Sequence, residues 1–161
     1  MLVKNINKKE LLDELKETFQ KTKENIGFNS DFEEINNIFY LEPYILREGF
    51  VSPRFSTQLR SKIIEVYNSW LNYLHSLIMP NQNSMISMME SKILDDKERK
   101  NVGELIKKVM ALISKNSLIN LKGNKKEEAE FIDYCVNFWV KEFNPSLILI
   151  MEKIDKEWRG K

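Results

Sequence analysis

The stretch from Ser56 to Met79, STQLRSKIIEVYNSWLNYLHSLIM, contains neither glycine nor proline. Its apolar residues recur at Leu59, Ile63, Val66, Trp70, Tyr73/Leu74 and Leu77. That spacing draws one continuous stripe along a helix and does not fit the two-residue alternation of a strand. At 1.5 Å per residue the helix is roughly 36 Å long, enough to span a small domain. Large rings and aliphatic chains on one side cannot remain in water, so other helices must cover them.

The flanking sequence offers those helices. Asn7, with Glu10 three residues on, is a capping signature, and Leu11/Leu12, Leu15, Phe19, Thr22 and Ile26 make a buried stripe that Gly27 ends. Ser30 with Glu33 repeats the signature ahead of Phe32, Ile35 and Phe39. Pro43 is expected to break that helix after Leu41, because the residue before a proline is pushed out of the helical region. The long helix should end before Pro80, with NQNS as a polar loop. Met85, Ile86, Met89 and Ile93 then start a fourth helix. Five of the seven methionines lie between Met79 and Met110; such a stripe is read as core, although methionine surfaces also repack around partners. Asn101 with Glu104 offers another cap, followed by Val102, Leu105/Ile106, Val109 and Ile113. After a turn through Gly123, Asn124 with Glu127 opens a helix rich in rings: Phe131, Tyr134, Phe138, Trp139 and Phe143. Asn144-Pro145 should end it and start a last helix that buries Leu147, Ile150/Met151, Ile154 and Trp158. The expectation is an all-α, single-domain bundle over residues 1–161, with six or seven helices around the long central one.

Composition narrows the functional classes. One cysteine, Cys135, excludes an internal disulfide and a cysteine-rich zinc site. The longest apolar run, Leu147 to Met151, is too short to cross a bilayer. The N-terminus has lysines but no apolar signal-peptide core, which points to a reducing cytoplasm. Net charge is +1 but unevenly spread: residues 1–46 and 127–161 each carry −3, whereas residues 47–126 carry +7. A basic middle suits a polyanionic partner; alternatively the acidic terminal helices neutralise it within the fold.

Candidate chemistry is sparse. His75, the one histidine, lies with Asn68 and Asn72 off the apolar stripe, and Cys135 has no local nucleophile signature. Di-iron bundles need Glu-x-x-His on two helices, which one histidine cannot supply. Glu127-x-x-Glu130 followed by Glu152-x-x-Asp155 is similar to the EXXE…EXXD pattern of all-α, magnesium-dependent nucleotide pyrophosphohydrolases. Four carboxylates on facing helices hold a hard cation against a triphosphate. Here, however, Glu152 and Asp155 fall opposite Ile150 and Ile154, on the solvent side. No glycine-rich phosphate loop or dinucleotide fingerprint is present, so no cofactor is expected.

The segment PYILREGFVSPRF, residues 43–55, reads as a short helical turn and an ordered connector, with Ser52-Pro53 as an early cap. Aromatic-rich connectors of this kind either pack on the core or form a binding surface. Just after it, Phe55-Ser56-Thr57-Gln58-Leu59-Arg60 with Ile63-Ile64 resembles the start of a helix in the small α-helical subunit of type III CRISPR effector complexes. Residues 130–143, EFIDYCVNFWVKEF, are similar to that family's ring-rich last helix. The chain departs from the family in carrying Asn144-Pro145 and a further helix where the family tail ends. The resemblance implies a non-catalytic subunit of an antiviral complex, stacked along a guide–target RNA duplex and touching neighbouring protein subunits, with a homo-oligomer also compatible. A backbone-reading surface of that kind needs distributed cations. The candidates are Arg47, Arg54, Arg60, Lys62, Lys107 and Lys108, joined by free amides at the helix start near Ser56. A helical adaptor without a nucleic-acid role is the alternative.

Overall fold

The computed structural model describes residues 7–160. The reading of the N-terminal lysines and of the missing signal-peptide core concerns residues 1–6, which lie outside the described residues. Among the described residues the chain is helical and without strands, as expected for an all-α protein. Its elements are α1 (Lys8–Ile26), α2 (Phe32–Phe39), α3 (Leu41–Glu48), α4 (Phe55–Ile78), α5 (Met85–Ser91), α6 (Asp96–Lys122), α7 (Lys125–Phe138), a π turn (Trp139–Phe143) and α8 (Asn144–Arg159). The π turn runs α7 into α8 without a break, which makes seven helices among the described residues. Contacts divide the chain into two compact units, Met1–Ile64 with Lys115–Val136, and Glu65–Ser114 with Asn137–Lys161.

In the first unit, the stripe of α1 is buried at Leu11, Leu15 and Phe19. The Phe19 ring meets Phe28, Phe32 and Phe55 edge-on at 5.4, 5.2 and 6.4 Å between centroids, the arrangement that ring quadrupoles favour. Asn7 caps α1, its side-chain oxygen accepting from the Lys9 amide, and Gly27 ends the helix at φ 88°, where a side chain would be strained. The second cap falls one residue later than the sequence suggests. Asp31 accepts from the Glu34 amide at 2.8 Å, because Ser30 is engaged elsewhere: its amide and hydroxyl both donate to Asp133. The helix break also precedes its expected place. Tyr40 takes the turn at φ 56°, and Pro43 sits in the first turn of α3, where a missing N–H costs nothing.

In the second unit, Tyr67 is fully buried. Its ring stacks on Phe138 at 5.8 Å and meets Trp139 and Phe143 at 5.5 and 5.1 Å. The cap of α6 is not Asn101–Glu104, which lies inside the helix. It is a reciprocal pair at Asp95 and Glu98, each side chain accepting from the other's amide at 2.8 Å. Asn144-Pro145 does not stop the preceding helix either. The Asn144 amide reaches back five residues to the Trp139 carbonyl. This wider turn seats Pro145, which cannot donate, at the start of α8. Leu147 and Ile154 are buried on α8 as expected, but Trp158 is half exposed. No helix among the described residues is long and apolar enough to cross a membrane.

Candidate functional site

The six cations singled out in the sequence do not form one exposed patch. Arg60 is the clearest departure, being only 2% exposed. Its guanidinium donates to the side-chain oxygens of Asn116 (2.5 Å) and Asn120 (2.9 Å) and, more loosely, to the Thr57 hydroxyl (3.4 Å). Its Nε lies 3.5 Å from Glu128 Oε2, an ion pair in which neither atom finds a hydrogen bond of good geometry. Burial pushes the guanidinium's pKa down, while Glu128 pulls it back up. Such a group ties α4, α6 and α7 together and cannot meet a phosphate. Sequence reasoning grouped Arg60 with Arg47, Arg54 and Lys62 by their nearness in the chain, although Ile63 and Tyr67, three and seven residues on, put it on the buried face of α4. The missing signal was the carboxylate at Glu128, distant in the chain.

Lys62 is also buried, its ammonium 5.3 Å from the centre of the Tyr44 ring. Arg47 lies over the same ring at 5.5 Å and pairs with Glu48 at 3.4 Å, yet stays mostly exposed. Arg54 is exposed, its backbone amide held by the Ser52 hydroxyl. Lys107 and Lys108 belong to the second unit. Lys107 pairs with Glu104 at 2.9 Å and Lys108 with Glu142. Acidic residues thus neutralise much of the basic middle locally.

The carboxylate pattern fares no better as a metal site. Glu127 faces Lys115 (3.1 Å) and Lys122 (3.9 Å), Glu130 faces Lys126 (3.9 Å), and Asp155 faces Arg159 (2.8 Å). Glu152 is exposed. Among the described residues no three His, Cys, Asp or Glu groups are placed to hold a metal ion. His75 is exposed on α4. Cys135 is fully buried, and burial alone pushes its thiol far up, which keeps it unreactive.

The second unit carries the feature that sequence reasoning assigned wrongly. Met85, Ile86 and Met89, read as a buried stripe, are 78%, 62% and 48% exposed. Met79, at the end of α4, is exposed as well, and the Asn81 amide donates to Ser87 Oγ, folding this loop back on α5. The helix is too short to bury its apolar side: Ser84 opens it and the backbone leaves it after Ser91, one turn before Ile93 and Leu94 turn inward. Ser87, Met88 and Ser91 turn to the inner side of α5, and Glu90, one turn on from Ile86, fixes its flank. It accepts from the Tyr73 hydroxyl (3.1 Å) and from the Trp158 indole N–H (3.0 Å), joining α4, α5 and α8. Burial, and then the charge of Glu90, push the Tyr73 phenol up to about 12. The exposed methionines therefore stand on a pinned scaffold.

A second opening in this unit, about 300 Å³, lies among Leu94, Leu105, Leu149 and Glu98, Glu104 and Glu142. Its carboxylates are matched by Lys153, Lys107 and Lys108. The lining is therefore close to neutral and offers no charged handle for a ligand.

Fold and face together define an all-α protein with an open, methionine-rich apolar surface. No family model, curated protein or solved structure matches the chain.

Proposed function

We propose that the chain is a non-enzymatic helical binding protein whose second unit docks another protein through Met79, Met85, Ile86, Met89 and Trp158. The observation that carries this reading is the exposure of Met85, Ile86 and Met89 on one side of a helix that Glu90, on the flank, anchors to Tyr73 and Trp158. Contiguous apolar surface is costly to leave in water and marks interaction sites. Methionine side chains suit such a site because their flexible, polarisable chains adapt to a partner's contours. Exposed substitutions here leave the fold intact, since changes away from packed or bonded groups stay within about 0.5 kcal/mol.

The test is copurification with the tagged chain, wild type against Met85→Glu/Ile86→Glu, followed by calorimetry on the recovered partner. A partner held by the wild type and lost from the variant is the expected result. Equal affinity for both overturns the reading.

Contact with an RNA backbone, as the resemblance to the type III CRISPR small subunit implies, is the second reading. The exposed pair Arg47 and Arg54 favours it; the burial of Arg60 and Lys62 weighs against it. Two phosphate contacts give a log–log salt slope of only about −1.5. Filter binding that falls with salt and weakens in Arg54→Ala supports this reading, and salt-independent retention removes it.

A further inference from the structure

At the edge of the apolar face is a pocket of about 270 Å³ lined by Met89, Lys92, Ile93, Glu157 and Trp158. Its floor is apolar, and its rim holds one charge of each sign. Lys92 comes from the turn that follows α5 and Glu157 from the last turn of α8. Both side chains are exposed, and no ion pair engages either of them among the described residues. Elsewhere in this unit Lys107, Lys108 and Lys153 have carboxylate partners, whereas Lys97, Lys100, Lys141 and Lys156 are, like Lys92, without an ion pair among the described residues. The Trp158 wall is held by Glu90, so the pocket is shaped before anything enters it.

We propose that this face takes a second copy of the chain, in a two-fold arrangement that sets Lys92 of each copy against Glu157 of the other. The inference rests on the protein-binding reading above and names the partner. In a two-fold contact the same patch meets itself, so the patch must be complementary to its own image. An apolar floor with one unpaired cation and one unpaired anion on its rim meets that condition: each charge finds its opposite across the axis. A partner of uniform sign would leave one of the two facing a like charge. The exposed area also suits the task. At about 200 Å² per fully open large side chain, Met79, Met85, Ile86, Met89 and Trp158 expose roughly 600 Å², close to the ~800 Å² that each partner gives to a standard interface. The pocket has room for one large apolar side chain, such as Met85, from the facing copy.

The experiment is sedimentation equilibrium of the full chain from about 1 to 200 µM, at low and raised salt. Wild type is expected to dimerise within this range. Lys92→Glu alone and Glu157→Lys alone should each weaken dimerisation by about tenfold, through a like-charge clash formed twice per dimer. An equimolar mixture of the two single variants should recover wild-type affinity, because both ion pairs re-form between unlike copies. Rescue by mixing is impossible for a contact within one chain. The inference is overturned if the wild type stays monomeric throughout, if the single variants dimerise as well as wild type, or if the mixture is no tighter than its components. Binding to vesicles of anionic phospholipid without self-association also overturns it and reassigns the face to a lipid surface. A monomeric wild type that nonetheless loses a copurified partner on Met85→Glu/Ile86→Glu sinks only the second-copy inference. Loss of neither sinks the protein-binding reading.

Discussion

Replacing Arg60 by methionine removes the cation at the centre of the first unit's polar network and keeps most of the side chain's bulk. Glu128 is then left with little exposure, 13% for its side chain, and without its counter-charge. Breaking a buried pair by deleting one partner costs about 3–5 kcal/mol, against little or nothing when both partners become apolar. The lower end applies here, because Asn120, at the edge of the network, is exposed and water can reach it. Arg60→Met is therefore expected to cost about 3 kcal/mol. With a urea dependence near 2 kcal/mol/M, that lowers the midpoint by about 1.5 M. Glu128→Leu alone should be similarly harmful, since it strands the guanidinium, whereas the double variant should recover most of the loss. Far-UV circular dichroism during urea unfolding reads all three, and with singles at about 3 kcal/mol and a double at about 1 kcal/mol the double-mutant cycle gives a coupling of about 5 kcal/mol. Arg54→Ala, on the exposed connector, should leave the midpoint unchanged. An Arg60→Met cost below about 0.5 kcal/mol, or a double variant as unstable as the two singles added, would refute the reasoning. Any loss of RNA binding in an Arg60 variant must accordingly be read against its folding.

Further outcomes follow from single contacts. Burial raises the Asp133 carboxyl's pKa, but the Ser30 hydroxyl and amide and the amides of Asn29 outweigh it and hold it below the ordinary value of 3.8. The stabilisation is thus present above that value and lost as pH falls through the folded pKa, and Asp133→Asn should flatten the acid limb of the stability curve below about pH 4; an unaltered limb contradicts this. At neutral pH Asp133→Ala should cost about 2 kcal/mol by urea unfolding, through the loss of charge-assisted bonds. The Tyr73 phenol, raised to about 12, should ionise late when followed by absorbance at alkaline pH. Its stabilisation is complete below the unfolded value near 10 and is lost as pH rises toward 12, so a Tyr73→Phe variant with the same alkaline unfolding profile would contradict it. Gly103 lies within α6, and a Cβ there meets nothing within 4 Å, so Gly103→Ala should stabilise by about 0.5–1 kcal/mol. A destabilised variant would count against the helix register.

The long helix was legible because its evidence is local: a period of 3.6 over two dozen residues and a proline just past its end. The caps at Asn7 and at Asn124, whose side-chain oxygen accepts from the Glu127 amide at 3.1 Å, were legible for the same reason. The cap at Asp31 was displaced from Ser30 by a bond to Asp133, more than a hundred residues away, and no window of sequence contains both. The methionine stripe misled in another way. Periodicity names the apolar side of a helix but not whether anything covers it, and α5 is too short for its neighbours to do so. Arg60 shows the converse, a charge read as exposed from its residue type although it shares a face with Ile63 and Tyr67, and held inside by Glu128, Asn116 and Asn120.

Oxidation footprinting tests the central idea, an apolar face open in the free chain and closed by a second copy. The full chain is treated briefly with dilute hydrogen peroxide at low and high protein concentration, and sulfoxide is counted at each methionine by mass spectrometry. Met110, half exposed on α6, is the reference. The account predicts that Met79, Met85 and Met89 oxidise readily at low concentration and become several-fold protected relative to Met110 as copies associate. Oxidation of all four at rates that do not change with concentration would contradict it.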